Sequence, residues 1–204
     1  MGVNNAVATL GTATNVRHLN KIFKKVSEIV FCFDGDEAGS KAAWRALETA
    51  LPLMHDGRQV KFLFLPSGED PDTYVRSIGQ THFLKKVGTA KPLEDFLFEQ
   101  LSANLDTTTG EGKARLSNLA KTHLNKIPDG IYSRLMFEKL ADLVGLPAQS
   151  IAQLFSEEES PKHRSVSRDP KEVSRDDGSQ YTAAKPPSSK KAINFHQKPA
   201  SIKA

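Results

Sequence analysis

Cysteine is nearly absent from these 204 residues: Cys32 is the only one. A single thiol closes no internal disulfide and supplies no multi-thiolate zinc site, so both are excluded. Long apolar runs are missing too, and no segment approaches the roughly 20 residues of a membrane-spanning helix. The opening Met-Gly-Val-Asn-Asn lacks the charged-then-apolar pattern of a secretory signal. These absences point to a cytosolic protein with no membrane partner. What is present, 38% hydrophobic and 25% charged residues, supports a packed core in one ordinary domain, or one and a half.

Positive charge is scarce where a core is expected. Residues 160–204 hold ten Lys/Arg against four Asp/Glu, a balance of +6, so residues 1–159 hold eighteen against twenty, a balance of −2. The chain's net +4 therefore belongs to its last stretch. That stretch is rich in Ser, Lys, Arg and Pro, and buries too little apolar surface to offset its chain entropy. Residues 156–204 are read as a flexible basic linker or tail.

The rest is organised around Ile29–Gly39. Ile29 to Phe33 is an unbroken apolar run, the pattern of a strand buried on both faces. It stops at Asp34-Gly35-Asp36, and Ala38–Ala50 then has helical composition. Two carboxylates thus fall at the carboxyl end of a strand, where open α/β sheets place their ligand crevices. A second strand candidate, Val60–Leu65, leads into Pro66-Ser67-Gly68-Glu69-Asp70-Pro71-Asp72. Aspartate suits turns and helix caps, so capping alone is one reading of either cluster. Capping needs one acid, and the second cluster holds three. Two acid clusters, each just after a strand, favour a metal site.

Around these, Asn5–Leu10 reads as a first strand and Thr14–Val26 as a helix with Val16, Leu19, Phe23 and Val26 on one face. The alternation of strand and helix signals a parallel sheet. After Gly79 the pattern turns helical: a helix from Pro92 past Leu101, a second over Gly112–Lys126, a third from Gly130 to Val144 stopped by Gly145, and a short one after Pro147. His18 and His123 read as surface or structural groups.

The stretches Ala6–Thr12, Phe33–Gly39, Trp44–Glu48 and Phe64–Asp72 give residues 2–155 a resemblance to the bacterial DNA primases. The resemblance implies a partial Toprim fold (α/β, parallel sheet) over 1–80, an all-α helical subdomain of the polymerase core over 90–155, and a disordered tail over 156–204. It implies Mg²⁺, with Mn²⁺ as a substitute, held by Asp34, Asp36, Asp70 and Asp72. Asp34 and Asp36 would be catalytic and Glu69 a supporting residue. The partners implied are a single-stranded DNA template, ribonucleoside triphosphates and the replicative helicase. The chemistry is DNA-directed RNA polymerisation at the replication fork.

The chain departs from the family pattern. The glutamate after the first Toprim strand and the aspartate behind it would lie before Met1. The zinc-binding module, the template-gripping half of the polymerase core and the helicase-binding domain are also expected to be missing. An internal piece, inactive by itself, is the expectation. A non-catalytic remnant that binds partners is one alternative. A Toprim nuclease or topoisomerase is another, though Tyr74, Tyr132 and Tyr181 sit in no recognisable strand-cleavage context.

Overall fold

Six apolar or polar residues alternate between the two faces of each of two strands, and that alternation sets the layers. A computed structural model describes residues 3–9 and 13–157; the tail expected over 156–204 lies outside them from residue 158 on. Strand β1 (Glu28–Phe33) pairs in parallel with β2 (Gln59–Phe64), in register from Glu28 against Gln59 to Phe33 against Phe64. A parallel pair needs a crossover. Here it is helix α2 (Glu37–Ala50), closed by a single tight turn at Leu51–Leu53.

Ile29, Phe31, Phe33, Val60, Phe62 and Phe64 face one side of the sheet and join the larger apolar cluster. Val30, Cys32, Leu63 and Leu65 face the other and pack with Val75 and Phe83. Those two come from helices α3 (Pro71–Ile78) and α4 (Gln80–Gly88). The larger cluster continues without a break into α5 (Leu93–Ser102), α6 (Gly110–Leu124), α7 (Ile131–Val144) and α8 (Ala148–Glu157). Phe62 and Phe96 make the join, with ring centroids 4.7 Å apart.

Several expectations are corrected. Residues 3–9 form no strand, and Val7 is 79% exposed. A strand exists through its hydrogen-bonded ladder, and residues 3–9 pair with none of the described strands. The first helix is shorter than expected, α1 (Val16–Phe23), capped by Asn15 in place of Thr14. Leu19 and Phe23 are buried, whereas Val16 and Val26 stay exposed. Strand β1 presents apolar residues to both faces, but only Ile29 is fully buried, because β1 lies at the sheet's edge. The sheet is also not wholly parallel. A two-residue strand β3 (Lys91–Pro92) pairs antiparallel with β2, too short and too proline-bound to leave a sequence pattern.

One long-range tie has a measurable consequence. The Asp56 carboxylate accepts hydrogen bonds from the backbone N–H of Tyr132 at 2.8 Å and of Ile131 at 3.1 Å. It caps α7 from a loop some 75 residues earlier in the chain. The bond from Tyr132 first, then that from Ile131, holds its carboxyl below the ordinary 3.8. A depressed folded-state value gives stability that is present above the unfolded value and is lost as pH falls through the folded one. Asp56→Asn should therefore lower the melting temperature at pH 7 and leave it unchanged near pH 2. Circular-dichroism melts across that range check this.

Candidate active site

Parallel pairing brings both acid clusters to one edge of the sheet. Phe33 and Phe64 are register partners, and one residue on, the Leu65 N–H still bonds the Phe33 carbonyl at 2.9 Å. Asp34-Gly35-Asp36 and the loop to Asp70 thus leave neighbouring strands in the same direction. Two glycines allow the close approach. A Cβ on Gly35 would lie 2.0 Å from the Leu65 carbonyl oxygen. A Cβ on Gly39, in the first turn of α2, would lie 2.0 Å from the Asp34 carbonyl oxygen. The spacing Asp-Gly-Asp-x-x-Gly is therefore a packing requirement as well as a source of carboxylates.

The carboxylates have different local tasks. Asp34 is exposed and makes no hydrogen bond or ion pair among the described residues. Asp36 caps α2, accepting from the Gly39 N–H at 2.6 Å. Asp70 caps α3, accepting from the N–H groups of Asp72 and Thr73 at 2.8 and 2.9 Å. Thr73 returns the favour as a capping box, its hydroxyl oxygen accepting from the Asp70 N–H at 3.2 Å. The Thr73 hydroxyl also lies 2.8 Å from the Glu69 carboxylate and donates to it. Asp72 pairs with Arg76 at 3.0 Å. That pair is exposed and one helical turn apart, worth only about 0.3–0.5 kcal/mol, so Asp72 is easily released.

The capping reading therefore holds for Asp36 and Asp70. No three of His, Cys, Asp and Glu stand close enough to hold a metal ion among the described residues. The four aspartates share an edge but are not gathered into a cage. That arrangement does not suit zinc, which wants four closed protein ligands. It fits magnesium, which keeps several waters and takes one or two carboxylates together with substrate phosphates. A free Asp34 beside Asp36 is such a donor pair.

Cys32, just inside this edge, is no nucleophile. Partial burial first, and then the nearby Asp34 charge, push its thiol from 9.0 up to about 11.

Sequence reasoning missed the crevice wall opposite the acids. Lys91, Phe96, Glu99 and Gln100 line a cleft of about 230 Å³ together with Gly35, Asp36 and Ser40. Lys91 forms an ion pair with Glu99 there. No local motif announces these residues, because the fold of α5 over the sheet is what brings them to Asp36. Thr73 was legible in principle, since Asp-Pro-Asp-Thr places a hydroxyl at the capping-box position.

Residues 1–65 match the family model of the Toprim domain, and residues 94–149 match that of the DnaB-helicase binding domain of primase. The second match, by its description, stands against the expectation that the helicase-binding domain is missing. A DNA primase of Pseudomonas aeruginosa is 50% identical over 154 residues, which is 75% of this chain and 23% of that protein. The crystal structure of a DNA primase domain from Pseudomonas aeruginosa superposes with a TM-score of 0.72 at 49% identity, covering 76% of this chain and 49% of that one. The DnaG primase catalytic domain bound to single-stranded DNA superposes with a TM-score of 0.70 at 43% identity, covering 73% and 47%. Two family models in the right order, a shared fold and half-identical sequence converge: the chain belongs to the bacterial DnaG-type DNA primases and spans about a quarter of the length of the curated relatives it matches.

Proposed function

We propose that this chain contributes the metal-binding side of a nucleotidyl-transfer site that builds short RNA primers on single-stranded DNA. The observation that carries the reading is the juxtaposition of two acid clusters after register-paired parallel strands, with Asp34 unengaged. Toprim and primase enzymes as a family use a divalent metal. Here Mg²⁺, or Mn²⁺ in its place, would be held by Asp34 and Asp36 from one strand and by Asp70 and Asp72 from the next. When bound, it offsets the negative charge of phosphate oxygens.

The reaction joins a primer 3′-hydroxyl oxygen to the α-phosphorus of a ribonucleoside triphosphate and expels pyrophosphate. The protein's own contribution is positional. Asp34 and Asp36 fix one side of the phosphate site, and Asp36 is itself anchored by the Gly39 N–H. Glu69, through Thr73, steadies the start of α3 and so the direction of Asp70 and Asp72. Residues 94–149 would dock a replicative helicase, as the name of their family model suggests.

The 204-residue polypeptide alone should not make primers. Its described acids form no cluster of three, and the −2 balance of residues 1–159 gives a template little hold. The test is a chimera in which residues 3–157 replace the matching segment of a bacterial DNA primase. Primer synthesis by the chimera, reduced at least a hundredfold by Asp34→Asn with the fold intact, is the expected result. Equal synthesis by the Asp34→Asn chimera would remove Asp34 from the site. Synthesis by the isolated chain that vanishes in Asp34→Asn would instead show these acids to be sufficient.

A further inference from the structure

A second cleft, of about 270 Å³, opens beside the first and is lined by Trp44, Gln100, Asn104, Arg115 and Leu119. Gln100 borders both clefts, so the two are neighbours beside α2 and the α5 end. Asp36, the cap of α2, and Ser40 and Trp44 on it line them at four-residue spacing and so lie along one side of the helix. Eight residues at 1.5 Å each put Trp44 about 12 Å from Asp36 along the helix.

The chemistry of this lining is unspent. Gln100, Asn104 and Arg115 are exposed, and their side chains make no hydrogen bond or ion pair among the described residues. Trp44 is half-buried, braced by the edge of His123 with ring centroids 5.1 Å apart. His123 is in turn 3.6 Å from Glu48. An indole fixed from behind offers a rigid stacking surface, which nucleobases of any sequence can use. Two amides with free donors and acceptors match base edges, and an unpaired guanidinium matches a phosphate.

We infer that this groove carries a single-stranded nucleic acid away from the acid edge, with one base stacked on Trp44 and a phosphate on Arg115. The inference rests on the nucleotidyl-transfer reading for its direction, from Asp36 outward. At about 3.4 Å per stacked nucleotide, the 12 Å step spans about three to four nucleotides. A strand anchored at the acids therefore reaches the indole within a short oligomer.

Trp44 is the chain's only tryptophan, so its emission reports this site alone. The experiment titrates the 204-residue chain with single-stranded oligothymidylates of two to eight nucleotides in low salt without divalent ions. Saturable quenching is expected, with affinity weakened about tenfold by Arg115→Glu, as one phosphate contact is exchanged for a repulsion. Asn104→Ala should weaken it less, and both exposed substitutions should leave the melting curve unchanged. Affinity that rises sharply once Mg²⁺ is added, and only for oligomers of about four nucleotides or more, is the second expected result. Binding seen by anisotropy of a labelled oligonucleotide without quenching of Trp44 would put the strand elsewhere, on the basic 160–204 stretch, and overturn the inference. Quenching of equal affinity in Arg115→Glu would do the same. Metal binding is measured separately, so quenching without Mg²⁺ should survive Asp34→Asn, whereas an Mg²⁺-dependent rise in affinity that also survives it would count against the acid-edge reading and leave the groove standing.

Discussion

Gly39→Ala should destabilise the protein by about 2–3 kcal/mol, at the upper end of what overpacking costs, and should weaken divalent-ion binding at the same time. The added methyl would meet the Asp34 carbonyl oxygen at 2.0 Å, a backbone atom with no rotamer to escape into. Either the first turn of α2 withdraws, losing the 2.6 Å bond from Gly39 N–H to Asp36, or the Asp34 peptide moves. Both responses misplace a carboxylate of the proposed site. The control is Gly88→Ala, at the end of α4, where an added Cβ meets nothing within 4 Å. That change should be neutral or stabilising by up to about 1 kcal/mol, since alanine is the better helix former. Chemical denaturation of the two variants side by side separates close packing from propensity.

The second large effect lies in the core. Phe62 is 1% exposed and its ring lies 5.6 Å from Phe31, 6.5 Å from Phe33 and 4.7 Å from Phe96, centroid to centroid. Phe62→Ala removes a fully buried ring that packs against both β1 and α5. Truncations of this kind cost about 3–5 kcal/mol, against a typical total of about 5–15 kcal/mol. At about 2–4 °C per kcal/mol for a chain of this size, the melting temperature should fall by roughly 6–20 °C. Phe64→Ala, half-buried at the strand's end, should cost less. Thermal melts followed by circular dichroism decide the order.

These two sites also show what the sequence made legible. Strand β1 was readable because five consecutive apolar residues end abruptly at Asp34, β2 because a run apolar but for Lys61 leads into the Pro66–Asp72 loop, and helices α5 to α7 because their apolar positions recur at helical spacing. Gly145 marked the end of α7, as the structure has it. Strand-like composition at Asn5–Leu10 misled, since composition carries no information about whether a ladder partner is at hand. Helix α4 went unread because its nine residues present a single fully buried side chain, Phe83, too few to set a period. Of the candidate site, the identity of the acids was legible and their engagement was not. Whether Asp36 faces a metal or the Gly39 N–H depends on a rotamer and a close backbone approach. The opposite wall, Lys91 to Gln100, depends on how α5 crosses the sheet.

On the proposed reading the acid edge takes a divalent ion through Asp34. Its most direct test is Mn²⁺ titration of the chain at neutral pH, followed by the loss of the free-ion electron paramagnetic resonance signal, with Mg²⁺ as competitor. Four carboxylates at one sheet edge repel one another, and an ion relieves that repulsion. The wild-type chain should therefore bind Mn²⁺ saturably, Mg²⁺ should displace it, and Asp34→Asn should weaken it at least tenfold while keeping the melting temperature equal or slightly higher without metal. Binding of the same affinity in Asp34→Asn, or no saturable binding in the wild type, would contradict the claim.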